Sequence, residues 1–121
     1  MKVAVFGRFY NERTTVSVET LFNYLLKNDF DAYIETEFYN LIKNEEPNKK
    51  DYTSFKTFDT LDTSFDLLVS IGGDGTILRA ITFVQDLGIP IIGINTGRLG
   101  FLATIQVDGI ENAIQDIIDG N

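Results

Sequence analysis

Residues 70–80 read SIGGDGTILRA, three glycines in four positions around a single aspartate, directly after an apolar run. Glycine loses more conformational freedom on ordering than any other residue, so such a cluster needs a reason. Gly72, Gly73, Asp74, Gly75 and Thr76 would form a tight turn whose bare backbone opens onto a helix. Amides at a helix N-terminus, at the positive end of its dipole, make a natural anion site. Thr76 can cap that helix or hydrogen-bond a phosphate oxygen, and Arg79, one helical turn on, can reach back to the same anion. Asp74 is the exception. A carboxylate repels an anionic ligand unless it holds Mg²⁺, orients a hydroxyl, or takes that hydroxyl's proton. The plain alternative is a strand-to-helix turn with Asp74 as the helix N-cap.

A second glycine-rich turn follows at residues 93–102, GINTGRLGFL. Gly97 and Gly100 suit left-handed or close-approach positions, Asn95 and Thr96 offer hydrogen bonds, and Phe101 can stack on a planar ring. Phe101 and Leu102 also fit as core residues, with Asn95 as a turn former. Two familiar phosphate motifs are excluded. The chain contains no Gly-Lys pair, so it has no P-loop. Gly73 and Gly75 begin a G-x-G-x-x-G dinucleotide fingerprint, but its last position falls on Leu78.

The elements around the turns alternate. Residues 2–7 (KVAVFG) read as a buried strand. Thr14 and Thr15 can cap a helix whose stripe is Val18, Leu21, Phe22, Leu25 and Leu26, ending near Lys27 and Asn28. A strand at 31–36 and a short helix at 37–44 precede a polar loop at 44–54. A short strand at 55–58 and a stronger one at 66–71 lead into the first glycine turn. Ile77, Leu78, Ile81 and Val84 mark the next helix, closed by Leu87-Gly88, and residues 89–94 the next strand. Residues 101–105 can extend beyond the second turn. Ile110, Ala113, Ile114, Ile117 and Ile118 form a last helical stripe ending at Gly120. This pattern predicts an α/β, Rossmann-like layered domain with a largely parallel sheet. Such sheets bind ligands at the carboxyl ends of their strands, where both glycine turns fall. Gly7-Arg8-Phe9 can face the same crevice, but Arg8 fits equally as a plain surface residue and is not counted in the site.

Composition narrows the chemistry. The 121 residues suit one domain with a real core. With no histidine and no cysteine, acid–base work falls to a carboxylate, lysine or tyrosine, and no disulfide or thiolate metal site can form. The net charge of −8 argues against nucleic-acid partners. No apolar run reaches the roughly eighteen residues of a membrane span, and the opening apolar run is too short and too soon interrupted for the core expected of a signal peptide.

Taken together, Gly72-Gly73-Asp74-Gly75-Thr76 and Asn95-Thr96-Gly97-Arg98-Leu99-Gly100-Phe101-Leu102 resemble the paired signatures GGDGT and N-x-G-x-L-G-F-L of the NAD kinases. Diacylglycerol and sphingoid-base kinases and phosphofructokinases carry similar Gly-Gly-Asp-Gly turns; the second turn selects the NAD kinases. The resemblance implies transfer of the γ-phosphoryl group of ATP to the 2′-hydroxyl of the adenosine ribose of NAD, with Mg²⁺ or another divalent cation accompanying the ATP. It makes Asp74 the proton acceptor and sets the Gly75 amide beside the ligand. Arg79 would reach the nucleotide, Asn95 opens the second signature, and Phe101 with Leu102 would line the adenosine pocket. Gly72, Gly73 and Thr76 would shape the phosphate side. No residue is expected to be a dedicated metal ligand. The resemblance also implies that residues 1–121 are the N-terminal domain of a two-domain cytoplasmic kinase. Its β-rich second domain would complete the NAD pocket, so this stretch alone would be nearly inactive, and the whole enzyme would be a homodimer or homotetramer. A lipid-kinase-like domain and a non-catalytic nucleotide-binding module are the competing readings.

Overall fold

The computed structural model describes residues 1–45, 55–96 and 104–120. Five strands form one parallel sheet: β1 (Lys2–Gly7), β2 (Asp31–Glu35), β3 (Lys56–Phe58), β4 (Leu67–Gly72) and β5 (Ile91–Asn95). Their order is β3-β2-β1-β4-β5, every neighbouring pair parallel. Four helices connect or follow them: α1 (Glu12–Lys27), α2 (Thr36–Glu45), α3 (Asp74–Val84) and α4 (Ile110–Ile118). This is the Rossmann-like order, with its reversal point between β1 and β4.

The central strands β1 and β4 read as near-continuous apolar runs because both sheet faces are covered there. Alternation along β1 sends Val3 and Val5 to one face, where Val18, Leu21, Phe22 and Leu25 of α1 and Ile110 and Ile114 of α4 meet them. Ala4 and Phe6 go to the other, with Leu68 of β4, Ala80 and Val84 of α3, and Phe58 and Phe65. A β-carbon on Gly7 would come within 2.6 Å of the Phe38 ring, so glycine there lets α2 close against the end of β1.

The structure moves several expected boundaries. Asn11, not Thr14 or Thr15, caps α1: its side chain accepts from the Arg13 and Thr14 amides at 3.0 and 3.3 Å. The Asn11 amide in turn donates to Thr14 Oγ1 at 2.8 Å, a reciprocal box that fixes the first turn. Helix α3 ends at Val84 rather than at Leu87-Gly88, because Gln85 takes a left-handed conformation (φ 50°) and terminates the ladder. Its buried face is Thr76, Ala80 and Val84, while Leu78 and Ile81 are 58% and 47% exposed. Strand β5 starts at Ile91 since Pro90 has no amide to donate; its carbonyl accepts from Leu68. Beyond β5, Ile105 bridges Ile94 in parallel, so the expected extension at 101–105 is seen at Ile105. Of the polar loop expected at 44–54, residues 44 and 45 belong to α2 and residues 46–54 lie outside the described residues, as do residues 97–103.

Candidate active site

The Gly72–Thr76 turn joins the carboxyl end of β4 to the start of α3, next to the end of β1. Its glycines have different reasons to be there. Gly72 sits at φ 150°, and a side chain on it would run into that of Thr76. Thr76 is buried at the third position of α3, so it packs against Gly72 and is not the cap. Gly72 is therefore demanded by the fold. Gly73 and Gly75 are not. Among the described residues, nothing lies within 4 Å of a β-carbon built on Gly73, and around Gly75 the sole neighbour is Arg8 Nη1 at 3.5 Å.

The N-cap of α3 is Gly73, in extended backbone and with no side chain to cap the helix. This corrects the alternative in which Asp74 is the cap; Asp74 is the first helical residue, half-buried, where a carboxylate interacts favourably with the dipole. The helical ladder begins with the Thr76 and Ile77 amides donating to Gly73 O at 3.1 and 3.2 Å. The amides ahead of them lie outside that ladder, as at every helix start.

Asn95, buried at the end of β5, is in register with Gly72, and the Thr96 amide donates to Gly72 O at 3.3 Å. The second turn thus leaves the sheet beside the first. Gly93 belongs to packing: a β-carbon there would meet Ile77 Cδ1 at 2.5 Å, so it admits α3 onto β5. Phe101 and Leu102, with Gly97, Arg98 and Gly100, lie outside the described residues.

Two cavities flank the turn. The larger, about 750 Å³, lies between α2 and α3 and is lined by Gly7, Arg8, Glu35, Asp59, Gly75 and Arg79 among others. The smaller, about 310 Å³, lies between the first glycine turn and the start of α1 and is lined by Arg8, Arg13, Thr14, Gly72, Gly73, Gly75, Thr76 and Thr96 among others. So Gly72, Gly73, Gly75 and Thr76 converge on one cavity and Gly75 and Arg79 on the other. Asp74 and Asn95 stand beside them in the chain without lining either.

Arg8, which by sequence fits a plain surface residue, lines both cavities, and Arg13 lines the smaller. The available signal for Arg8 was its position directly after the first strand, at the edge where such sheets bind ligands. Glu35 was also missed. It ends β2, where dinucleotide-binding folds place a ribose-binding acid. Here its buried carboxylate accepts from the Glu37 and Phe38 amides at 2.6 and 3.2 Å and so caps α2. That use agrees with the broken G-x-G-x-x-G pattern.

Among the described residues, no group of three or more His, Cys, Asp or Glu could hold a metal ion, and no helix is long and apolar enough to cross a membrane.

The family model for the ATP-NAD kinase N-terminal domain matches residues 3–121. The NAD kinase of Flavobacterium johnsoniae is 43% identical over 121 residues, covering 100% of this chain and 41% of that protein. The NAD kinase of Christiangramia forsetii is 44% identical over 119 residues, covering 98% of this chain and 40% of that protein. The chain therefore spans about two-fifths of the length of the curated relatives it matches. In fold it is similar to yeast NADH kinase complexed with NADH (TM-score 0.71, 19% identity, 98% of this chain and 38% of that one). It is also similar to an NAD kinase from Archaeoglobus fulgidus in complex with ATP (TM-score 0.60, 24% identity, 99% of this chain and 38% of that one). On the match across nearly its whole length, the chain belongs to the ATP-NAD kinase N-terminal domain family.

Proposed function

We propose that the protein transfers the γ-phosphoryl group of ATP to the 2′-hydroxyl of the adenosine ribose of NAD, with Asp74 at the reacting hydroxyl. One observation carries this reading: Gly73 and Gly75, on either side of Asp74, have no packing reason among the described residues to lack side chains and instead border open cavities. A backbone kept thin on both sides of a half-buried carboxylate suits the close approach of a ligand that the carboxylate acts on.

In this reaction the ribose 2′-oxygen attacks the γ-phosphorus, the bond from that phosphorus to the β,γ-bridging oxygen breaks, and ADP leaves. Asp74 takes the hydroxyl proton. The rest is positioning and charge stabilisation, which amides and arginines supply without a histidine. Gly72, Gly73 and Thr76 shape the phosphate side, and Arg79 reaches the nucleotide across the larger cavity. Asn95, Phe101 and Leu102 complete the acceptor side.

With no cluster of metal-ligating side chains among the described residues, Mg²⁺ would be carried chiefly by the phosphate oxygens of ATP, as that ion commonly is. Bound there, the cation would neutralise charge on the phosphates. The reading includes a β-rich second domain completing the NAD pocket, since the chain matches only about two-fifths of its relatives. It places the enzyme in the cytoplasm as a homodimer or homotetramer.

The test is NADP formation by the full-length protein, with ATP or polyphosphate as donor and NAD or NADH as acceptor. Asp74→Asn is expected to lower kcat by about 10²–10⁴-fold, the usual contribution of a positioned base, with the unfolding temperature unchanged. Phosphorylation of lipid acceptors alone, or an Asp74→Asn enzyme of normal rate, would sink the reading. Residues 1–121 alone should form little NADP.

A further inference from the structure

The chain has four arginines, Arg8, Arg13, Arg79 and Arg98, and six lysines. Arg8, Arg13 and Arg79 follow the carboxyl ends of β1 and β4, on one edge of the sheet, although the net charge is −8; Arg98 lies outside the described residues. Lys2 and Lys56 begin strands, and Lys27 and Lys43 sit in the last turns of α1 and α2. Arg8, Arg13 and Arg79 are exposed, and none forms an ion pair with a described carboxylate.

Local structure does not account for two of them. Arg13 stands at the second position of α1, where a cation opposes the helix dipole, and the amides it sits among are already satisfied by Asn11. Arg8 stacks on the Phe9 ring (5.4 Å) and reaches the glycine turn, its Nη1 3.5 Å from the point where a Gly75 β-carbon would lie. It is shared by both cavities, while Arg13 lines the smaller one opposite Gly73. Planar, permanently charged guanidinium groups with no carboxylate partner among the described residues, facing a side-chain-free backbone, match an extended chain of phosphates.

We propose that Arg8 and Arg13 are positioning residues for a tripolyphosphate chain, held in the smaller cavity between the start of α1 and the glycine turn. Resting on the kinase reading, this makes them determinants of the phosphoryl donor, with Arg8 dividing the phosphate end from the larger cavity. The ligand chemistry is shared by ATP and inorganic tripolyphosphate.

The test has a binding arm and a kinetic arm, both on the full-length protein. Titration with ATP, tripolyphosphate and adenosine compares wild type with R8Q, R13Q and the double variant. ATP and tripolyphosphate are expected to weaken by a common factor of at least about tenfold in the double variant, adenosine not at all, with a shallower dependence of affinity on salt. NADP formation by the wild type with each compound in turn then identifies the donor. Arg8→Lys should recover only part of the loss, because it keeps the charge without the fork. In the kinetic arm, KM for the phosphate donor should rise while KM for NAD holds. Unchanged tripolyphosphate and ATP binding in the double variant, or an equal loss for adenosine, would overturn the proposal. The phosphate titration remains decisive even if wild-type protein forms no NADP, which would count against the kinase reading alone.

Discussion

Helices α1 and α3 start from neighbouring parallel strands at the same edge of the sheet, yet their first turns are built in opposite ways. Asn11 closes α1 with a reciprocal capping box, satisfying its early amides from within the chain. Gly73 leaves α3 without any side-chain cap. A capping side chain stabilises a helix by about 1 kcal/mol over alanine, and serine, asparagine or aspartate would all have served at position 73. The backbone there is extended and no described residue lies within 4 Å of a β-carbon at that position, so neither conformation nor the described packing forbids them. The difference teaches that an uncapped helix beside unforced glycines marks a surface shaped for something other than stability. The capped helix shows what the same edge looks like when stability decides.

That contrast can be broken by substitutions, the largest effect coming from the one glycine that the fold demands. Gly72→Ala should destabilise the domain by about 2–3 kcal/mol, combining a backbone conformation hostile to side chains with the collision against Thr76. A normal unfolding midpoint in denaturant for that variant would show that the turn is not as rigid as its geometry implies. Gly73→Ser is the sharper test. It installs the missing cap and should leave stability level or a few tenths of a kcal/mol higher, while raising KM for the phosphate donor about tenfold (about 1.4 kcal/mol) by filling the approach. If thermal stability rose and donor KM did not move, the open turn would have no binding role. Asn11→Ala is expected to cost about 1 kcal/mol, seen in urea unfolding. A loss well below that would mean that Thr14 and Thr15 compensate, and that α1 is less dependent on its cap than drawn.

Much of this was legible in the residues. The strand cores at 2–7 and 67–71 announced themselves as apolar runs, and the stripe of α1 as three- and four-residue spacing. Helix α3 was placed but its face was misjudged. Leu78 and Ile81 look like core residues by type, whereas Ala80 and Thr76 fill the tight space against the sheet. Size against a close backbone, not hydrophobicity, decided that face. Asn11 was passed over for Thr14 and Thr15 because all three are cap formers, and only the position of the first helical hydrogen bonds distinguishes them.

By itself the sequence determined the alternation of strands and helices, the exclusion of a P-loop and a dinucleotide fingerprint, and the isolation of Asp74 within glycine. These depend on neighbours along the chain, whose spacing sets backbone periodicity and turn chemistry directly. Only the tertiary structure separated Gly72, held by its conformation and Thr76, from Gly73 and Gly75, which border open space. It alone spent Glu35 on a helix cap and brought Arg8 and Arg13 opposite residues about sixty positions away. The physical reason is the pairing of β1 with β4 in parallel, Gly7 level with Ile71. A crossover connection joins segments that share no local signal, and what faces what across a crevice is set by that register rather than by any stretch of residues read alone.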